Sequence, residues 1–203
     1  MRGLYLVTPN WDDIDRLLDV TEQALQEGVA LLQYRHKHAD AALRREQAGA
    51  LLLLARKYGV PFIVNDFIDL CEQLDADGVH VGGTDISVAE ARARLGKQKL
   101  VGASCYGDLQ LAHKAQQEGA SYMAFGGFYP SLVKQYPVTT DPDIVLQAKR
   151  EIALPCVVIG GMTPGNAAPL AARGADLVAA ISSVYLADDV TISVREFNKL
   201  FVN

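Results

Sequence analysis

Gln33, Arg35 and Lys37 stand at every second position where an apolar run, Ala30-Leu31-Leu32, gives way to polar residues. In an extended strand they share one face, so an amide and two cations leave one strand end together. Such a set forms a receptor for a multiply charged anion rather than a solvated surface run. A receptor of that kind needs partners from elsewhere in the chain. Candidates occur at Asn65-Asp66, Gly82-Gly83-Thr84-Asp85, Ser104, the run from Gly126 to Lys134, Gly160-Gly161 and Ser182-Ser183.

The elements that would position these residues alternate along the chain. β-rich runs are predicted at Gly3–Thr8, Ala30–Arg35, Phe62–Asn65, Gly78–Val81, Lys99–Ala103, Ser121–Phe125, Cys156–Ile159 and Asp176–Ile181. Helical patterns are predicted at Asp12–Glu27, Ala39–Lys57, Phe67–Leu74, Ser87–Leu95, Asp108–Glu118, Pro142–Ile152, Pro164–Arg173 and within Val184–Phe201. Gly28, Gly59, Gly119 and Gly174 each stand where a helix should stop before a strand restarts. Eight strands alternating with eight helices, one unit in roughly 25 residues, point to a single α/β domain over residues 1–203, a small (β/α)8 TIM barrel. The other architecture, a doubly wound open sheet, loses its dinucleotide version because Thr8-Pro9-Asn10, not a G-x-G-x-x-G run, follows the first strand.

Composition bounds the function. The chain has 203 residues, of which 50% are hydrophobic, enough to bury a sizeable core. A formal net charge of -5 argues against a general nucleic-acid binder while leaving room for a local basic cluster. Cys71, Cys105 and Cys156 are odd in number and lack a C-x-x-C pattern, so neither a disulfide framework nor a zinc site is expected. The apolar run Leu4–Val7 is too short for the hydrophobic region of a signal peptide, and the one at Ala48–Ala55 is too short for a membrane span. A soluble, cytoplasmic protein without membrane or nucleic-acid partners is expected; a homo-oligomer is left open.

In a barrel of this kind active sites sit on the loops after the strands, which brings the polar candidates to one mouth. Asp66 and Asp85 there are either helix caps or ligands of a hard cation. With Arg35, Lys37 and Lys134 aimed at the same mouth, both carboxylates are expected to be ionised, which favours Mg²⁺ over a proton shared between them. Gly160-Gly161 after strand seven, with Ser182-Ser183 after strand eight, occupy the usual phosphate position of the fold. The stretch Gly126 to Pro137 exceeds ordinary loop lengths and has the Gly and Pro hinges of a lid.

Leu4 to Thr8, Gln33-Tyr34-Arg35-His36-Lys37, Val64-Asn65-Asp66, Gly78 to Gly82 with Asp85, Gly102-Ala103-Ser104, Phe125 to Lys134, Ile159 to Met162 and Ala180-Ile181-Ser182 together resemble thiamine-phosphate synthases. The resemblance runs in order over nearly the whole chain, and its Q-x-R-x-K, N-D and P-S/T-x-x-K elements are specific in combination. It implies a transferase that joins a hydroxymethylpyrimidine diphosphate to a thiazole phosphate or its carboxylate. The reaction implied is loss of pyrophosphate to a pyrimidine methylene cation, which the thiazole nitrogen captures. By the same resemblance Asp66 and Asp85 are Mg²⁺ ligands, and Arg35, Lys37, Asn65, Ser104 and Lys134 contact the diphosphate. Gln33 holds the pyrimidine's amino edge, Ser131 lies between the substrates, and Gly161, Ile181 and Ser182 take the thiazole phosphate. Arg35, Lys37, Lys134 and Ser104 carry the catalytic burden in that scheme.

Three departures from the family pattern stand out. Val133 replaces a frequent hydroxyl residue, Gly83-Thr84 replaces the usual Gln-Glu ahead of Asp85, and Cys105-Tyr106 stands where many members have a histidine. That histidine carries proton transfer in the related thiazole tautomerases, so its absence weighs against the tautomerase alternative. A non-catalytic phosphate-binding barrel is the other alternative, and Asp66, Asp85 and Lys134 together weigh against it. His80, between valines, is expected to be a hydrogen-bonded core residue, and His36 to point away from the Gln33 face.

Overall fold

Alternation inside each short strand decides the architecture. The structure, a computed structural model, describes residues 1–83, 85–130 and 139–202. Its strands are β1 (Gly3–Val7), β2 (Leu31–Tyr34), β3 (Phe62–Asn65), β4 (Gly78–Val81), β5 (Leu100–Tyr106), β6 (Tyr122–Phe125), β7 (Cys156–Ile159) and β8 (Leu177–Ala180). Each pairs in parallel with its sequence neighbours, and β8 closes onto β1. The result is the predicted TIM barrel. Both faces of such strands are covered, so every second side chain fills the barrel and the others meet the helices. Tyr5, Val7, Leu31, Ile63, Tyr122, Ala124, Val157, Leu177 and Ala179 form the inner core. Leu4, Leu6, Leu32, Phe62, Val64, Met123 and Val158 belong to the outer layer between strands and helices.

The helices are α1 (Ile14–Gln26), α2 (Ala41–Lys57), α3 (Ile68–Leu74), α4 (Val88–Leu95), α5 (Leu109–Gln117), α6 (Ile144–Glu151), α7 (Pro164–Ala172), α8 (Ser182–Tyr185) and α9 (Val190–Lys199). Side chains of Asp13, Asp40, Ser87, Asp108, Thr163 and Asp189 cap six of them by accepting from amides of the first turn. In α1 the buried residues are Leu17, Thr21, Ala24 and Leu25, the spacing of one helical face. Emptying such a position, as in Leu17→Ala, costs about 2–5 kcal/mol through the cavity left behind.

Two elements differ from the sequence prediction. A short unpredicted helix, α8, precedes the terminal one, while α9, opened by the Asp189 cap, lies within Val184–Phe201 as expected. β5 runs on to Tyr106 rather than ending at Ala103, since an irregularity between Ser104 and Tyr106 restores pairing of Tyr106 with Phe125. Among the described residues no helix is long and apolar enough to cross a membrane.

Candidate active site

The inward positions nearest the strand ends are polar where most barrels carry aliphatic layers. Gln33 and Arg35 from β2 and the residue after it, Asn65 from β3, His80 from β4, Ser104 from β5 and Ile181 after β8 line one cavity in the barrel mouth, with Tyr5 beneath. The alternation that buries Leu32 and Tyr34 against helices places Gln33 and Arg35 inside. Asn10, in the β1–α1 connection, fastens this edge: its Oδ1 accepts from an Arg35 Nη at 3.4 Å and from the Lys37 amide at 3.3 Å. Thr8 holds the backbone there, accepting from the Arg35 amide at 2.7 Å.

Lys37 reaches across to β3, its Nζ 3.2 Å from Asp66 Oδ2. Asp66 adopts φ 64, left-handed backbone that costs most residues about 1 kcal/mol or more and that Asp and Asn tolerate best. Its carboxyl lies within hydrogen-bond reach of Asp85. Asp85 is itself held in a closed turn, accepting from the Gly82 amide at 2.9 Å. Neither aspartate caps a helix: Ser87 caps α4, and Phe67 precedes α3 without a side-chain cap. Burial, then the neighbouring Asp85, pushes the Asp66 carboxyl above the ordinary range, with Lys37 opposing only in part. Desolvation and a like charge here outweigh one half-exposed lysine.

That pair suits a bound cation. Two carboxylates brought together, one of them raised by burial and by its neighbour, leave a place where a divalent ion removes the repulsion. Mg²⁺ takes one or two carboxylates and fills the rest of its octahedron with water and phosphate oxygens. Among the described residues no group of three or more His, Cys, Asp or Glu gathers, so these two are what the described chain offers. The residues fit the ion.

Across the mouth, Gly160 and Gly161 have φ 106 and 63. A Cβ on Gly161 would lie 2.1 Å from the Pro130 carbonyl oxygen, so only glycine fits between the ends of β6 and β7. Asn166 donates to the Gly161 carbonyl at 2.9 Å and anchors the turn to α7. α8 begins at Ser182 after Ile181, whose carbonyl accepts from Val184 and Tyr185. Its first amides have no acceptor inside the helix, and they flank the cavity at Ile181.

Of the residues expected at the site, Gln33, Arg35, Lys37, Asn65, Asp66, Asp85, Ser104, Gly161, Ile181 and Ser182 all lie at the C-terminal ends of the strands. Ser131 and Lys134 fall outside the described residues, as does Val133. His36 points outward as expected, bonded to Asp12 Oδ1 at 2.9 Å and to the Ala39 amide at 3.0 Å. His80 is buried and hydrogen-bonded, but it also forms part of the cavity wall. It lies 2.9 Å from Ser104 Oγ and 3.2 Å from Tyr122 Oη. Sequence reasoning missed Tyr5, Tyr122, Asn10 and Tyr106. Tyr5 and Tyr122 carry a signal in their inward phase; Tyr106, which accepts from the Gly83 amide at 3.1 Å, carries none. Cys105 faces the helix layer and is buried; its thiol is pushed up to about 12 by burial, unsuited to shuttling a proton.

Comparison with known proteins adds the last observation. A family model described as thiamine monophosphate synthase matches residues 4–184. The chain is 64% identical over 201 residues to a thiamine-phosphate synthase of Janthinobacterium sp. (strain Marseille), covering 99% of this chain and 97% of that protein. It is 49% identical to one from Thiobacillus denitrificans, covering 98% and 94%. A solved thiamine phosphate pyrophosphorylase from Pyrococcus furiosus superposes with a TM-score of 0.85 at 29% identity, covering 98% of this chain and 94% of that one.

Proposed function

Because the chain belongs to the thiamine monophosphate synthase family, we propose that its barrel mouth divides into a diphosphate half on β2 to β5 and a phosphate half on β7 and β8. The activity is thiamine-phosphate synthesis, as in the relatives that match the chain nearly end to end. The substrates in this reading are a hydroxymethylpyrimidine diphosphate and a thiazole phosphate or its carboxylate.

The observation that carries the reading is the Asp66 and Asp85 pair with Lys37 tethered to it. Asp66 and Asp85 hold Mg²⁺, which supplies positive charge to the leaving pyrophosphate. Arg35, buried and oriented by Asn10, and Lys37, tethered to Asp66, clamp the same diphosphate from the β2 side. Asn65 and Ser104 donate to it from β3 and β5; Lys134 is a further diphosphate contact in this reading, and Ser131 serves the region between the two substrates. Negative charge on the leaving group grows in the transition state, so fixed cations in a recessed mouth stabilise that state more than the ground state. Gln33 holds the amino edge of the pyrimidine. Gly161, Ile181 and Ser182 present backbone and hydroxyl donors to the thiazole phosphate, bringing its nitrogen toward the pyrimidine methylene. That nitrogen is already nucleophilic, so the chain needs no general base. The buried cysteines fit a reducing compartment, and we place the protein in the cytoplasm.

One assay tests the reading: both substrates, with and without Mg²⁺, followed for pyrophosphate and thiamine phosphate. Product that requires both substrates and the ion is expected. Isomerisation of the thiazole alone would indicate a tautomerase, and binding without turnover a phosphate-binding barrel.

A further inference from the structure

Below the two substrate halves, a line of buried polar contacts crosses the barrel from β2 to β5. Gln33 Nε2 donates to Tyr5 Oη at 2.6 Å. Tyr5 Oη is 2.7 Å from Tyr122 Oη, Tyr122 Oη is 3.2 Å from His80 Nδ1, and His80 Nε2 is 2.9 Å from Ser104 Oγ. The rings are packed as well as bonded. Tyr122 stands edge-on to Tyr5, with centroids 5.7 Å apart, and stacks on His80 at 5.6 Å. Gly102 makes the space, since a Cβ there would lie 2.1 Å from the Tyr122 ring.

Each phenol has one hydrogen, so with the Gln33 amide nitrogen on Tyr5 and every bond in the line made, the donors run one way. Burial pushes both tyrosines well above their ordinary values, so neither is a phenolate. Tyr5 accepts from Gln33, so its own hydrogen goes to Tyr122. Tyr122 then donates to His80 Nδ1, which places the imidazole proton on Nε2. Nε2 donates to Ser104 Oγ, whose hydroxyl hydrogen is left to point at the mouth. At the other end, with its amide nitrogen turned to Tyr5, Gln33 presents Oε1 to the substrate. Both ends agree with the ligands: an amino group needs an acceptor, and a diphosphate needs a donor.

We propose that Gln33, Tyr5, Tyr122, His80 and Ser104 form a directional hydrogen-bond relay that sets the donor and acceptor polarity of the site at both ends. Tyr5, Tyr122 and His80 are positioning residues in it, acting through Gln33 on ring recognition and through Ser104 on the leaving group. The relay makes the site selective for a 4-aminopyrimidine over its 4-oxo counterpart, whose oxygen would face the Gln33 carbonyl. Reversal would need every bond to turn together, including the glutamine amide, so the buried chain resists it. The inference rests on the proposed contact between Gln33 and the pyrimidine.

The test compares kcat/KM for the 4-amino and 4-oxo pyrimidine diphosphates, with thiazole phosphate saturating, in Tyr122→Phe, Tyr5→Phe and Gln33→Ala. Tyr122 does not bond Gln33, yet Tyr122→Phe frees the Tyr5 hydroxyl to turn toward the amide and let it flip. The amino-over-oxo ratio is expected to fall about tenfold or more in all three variants. A parallel fall on both substrates in the tyrosine variants, with the ratio intact, would assign those tyrosines a merely structural role and overturn the relay. A ratio unchanged in Tyr122→Phe but lost in Gln33→Ala would overturn the relay and leave the Gln33 contact standing. A ratio unchanged in Gln33→Ala would remove the Gln33 contact, and the relay with it. Where a tyrosine variant melts too low to assay, ¹⁵N-histidine spectra of the unmodified protein decide. His80 is expected as the Nε2–H tautomer; an Nδ1–H tautomer or an imidazolium would refute the direction.

Discussion

Asp66→Asn isolates the carboxylate pair from the backbone that carries it. Asp66 sits at φ 64, where Asn is tolerated and Ala adds about 1 kcal/mol or more of strain, so the alanine variant mixes two effects. In the asparagine variant the lost ion pair with Lys37, at 3.2 Å and half exposed, removes at most about 1 kcal/mol. Relief of the repulsion from Asp85 offsets part of that. For a chain of 203 residues the melting temperature without metal should therefore move by no more than about 4 °C. The response to Mg²⁺ should change far more. An ion present at about 100 times its dissociation constant stabilises the native state by about 2.7 kcal/mol, or about 5–11 °C here. That increment should vanish in Asp66→Asn. Turnover at saturating substrates should fall at least about 100-fold, the scale for removing one electrostatic support of a developing anion. The paired assay is thermal melting with and without Mg²⁺ beside steady-state pyrophosphate release. A variant that keeps both the Mg²⁺ increment and turnover within a few-fold would refute the assignment of Asp66 as a ligand.

The phosphate half and the buried thiols give two further tests. Gly161→Ala, at φ 63 and with its Cβ driven toward the Pro130 carbonyl, should raise KM for the thiazole phosphate about tenfold or more while moving KM for the pyrimidine diphosphate much less; the opposite pattern would give this turn to the other substrate. Burial pushes Cys71 to about 11 and Cys105 and Cys156 to about 12, so almost no thiolate is present at pH 8. An aromatic disulfide reagent should label none of the three until the protein unfolds, and Cys105→Ala should keep turnover within about twofold; fast labelling or lost turnover would give Cys105 a chemical role.

Strands were legible because each is a short apolar run bounded by glycine or a polar cap, and every second residue declares its face. Phe62–Asn65, Gly78–Val81 and Cys156–Ile159 have the predicted ends. That phase also placed Gln33 and Arg35 inside, since Leu32 and Tyr34 demand the helix layer. Partners across the barrel were not legible in this way. Tyr5 meets Tyr122 although the two lie 117 residues apart. Their meeting depends on register around the barrel and on Gly102 leaving room, neither of which a single strand encodes. His80 read as core because its neighbours are valines, and it is core; its second role follows only from Ser104 standing on the next strand. The four-residue α8 is too short to declare itself by periodicity.

Two of the departures from the family pattern, Gly83 and Tyr106, meet in the structure. Tyr106 reaches the loop that carries Asp85 from the irregular end of β5, at φ 51. Its hydroxyl accepts from the Gly83 amide at 3.1 Å and would lie 3.4 Å from a Cβ at that position. A side chain at residue 83 would pack directly against the Tyr106 ring, so the two positions are in contact. Restoring the family residue at only one end, by Gly83→Gln or Tyr106→His, should loosen the loop and weaken Mg²⁺ binding. The bond is exposed, so each change should cost about 0.5–1.5 kcal/mol, or roughly a factor of 2–10 in the Mg²⁺ dissociation constant. Made together, the two should cost less than their sum, because both remove the same Gly83–Tyr106 contact. Mg²⁺ titrations of the four proteins measure that coupling directly. Strict additivity would mean that Gly83 and Tyr106 hold the Asp85 loop independently, and that the two departures are unrelated.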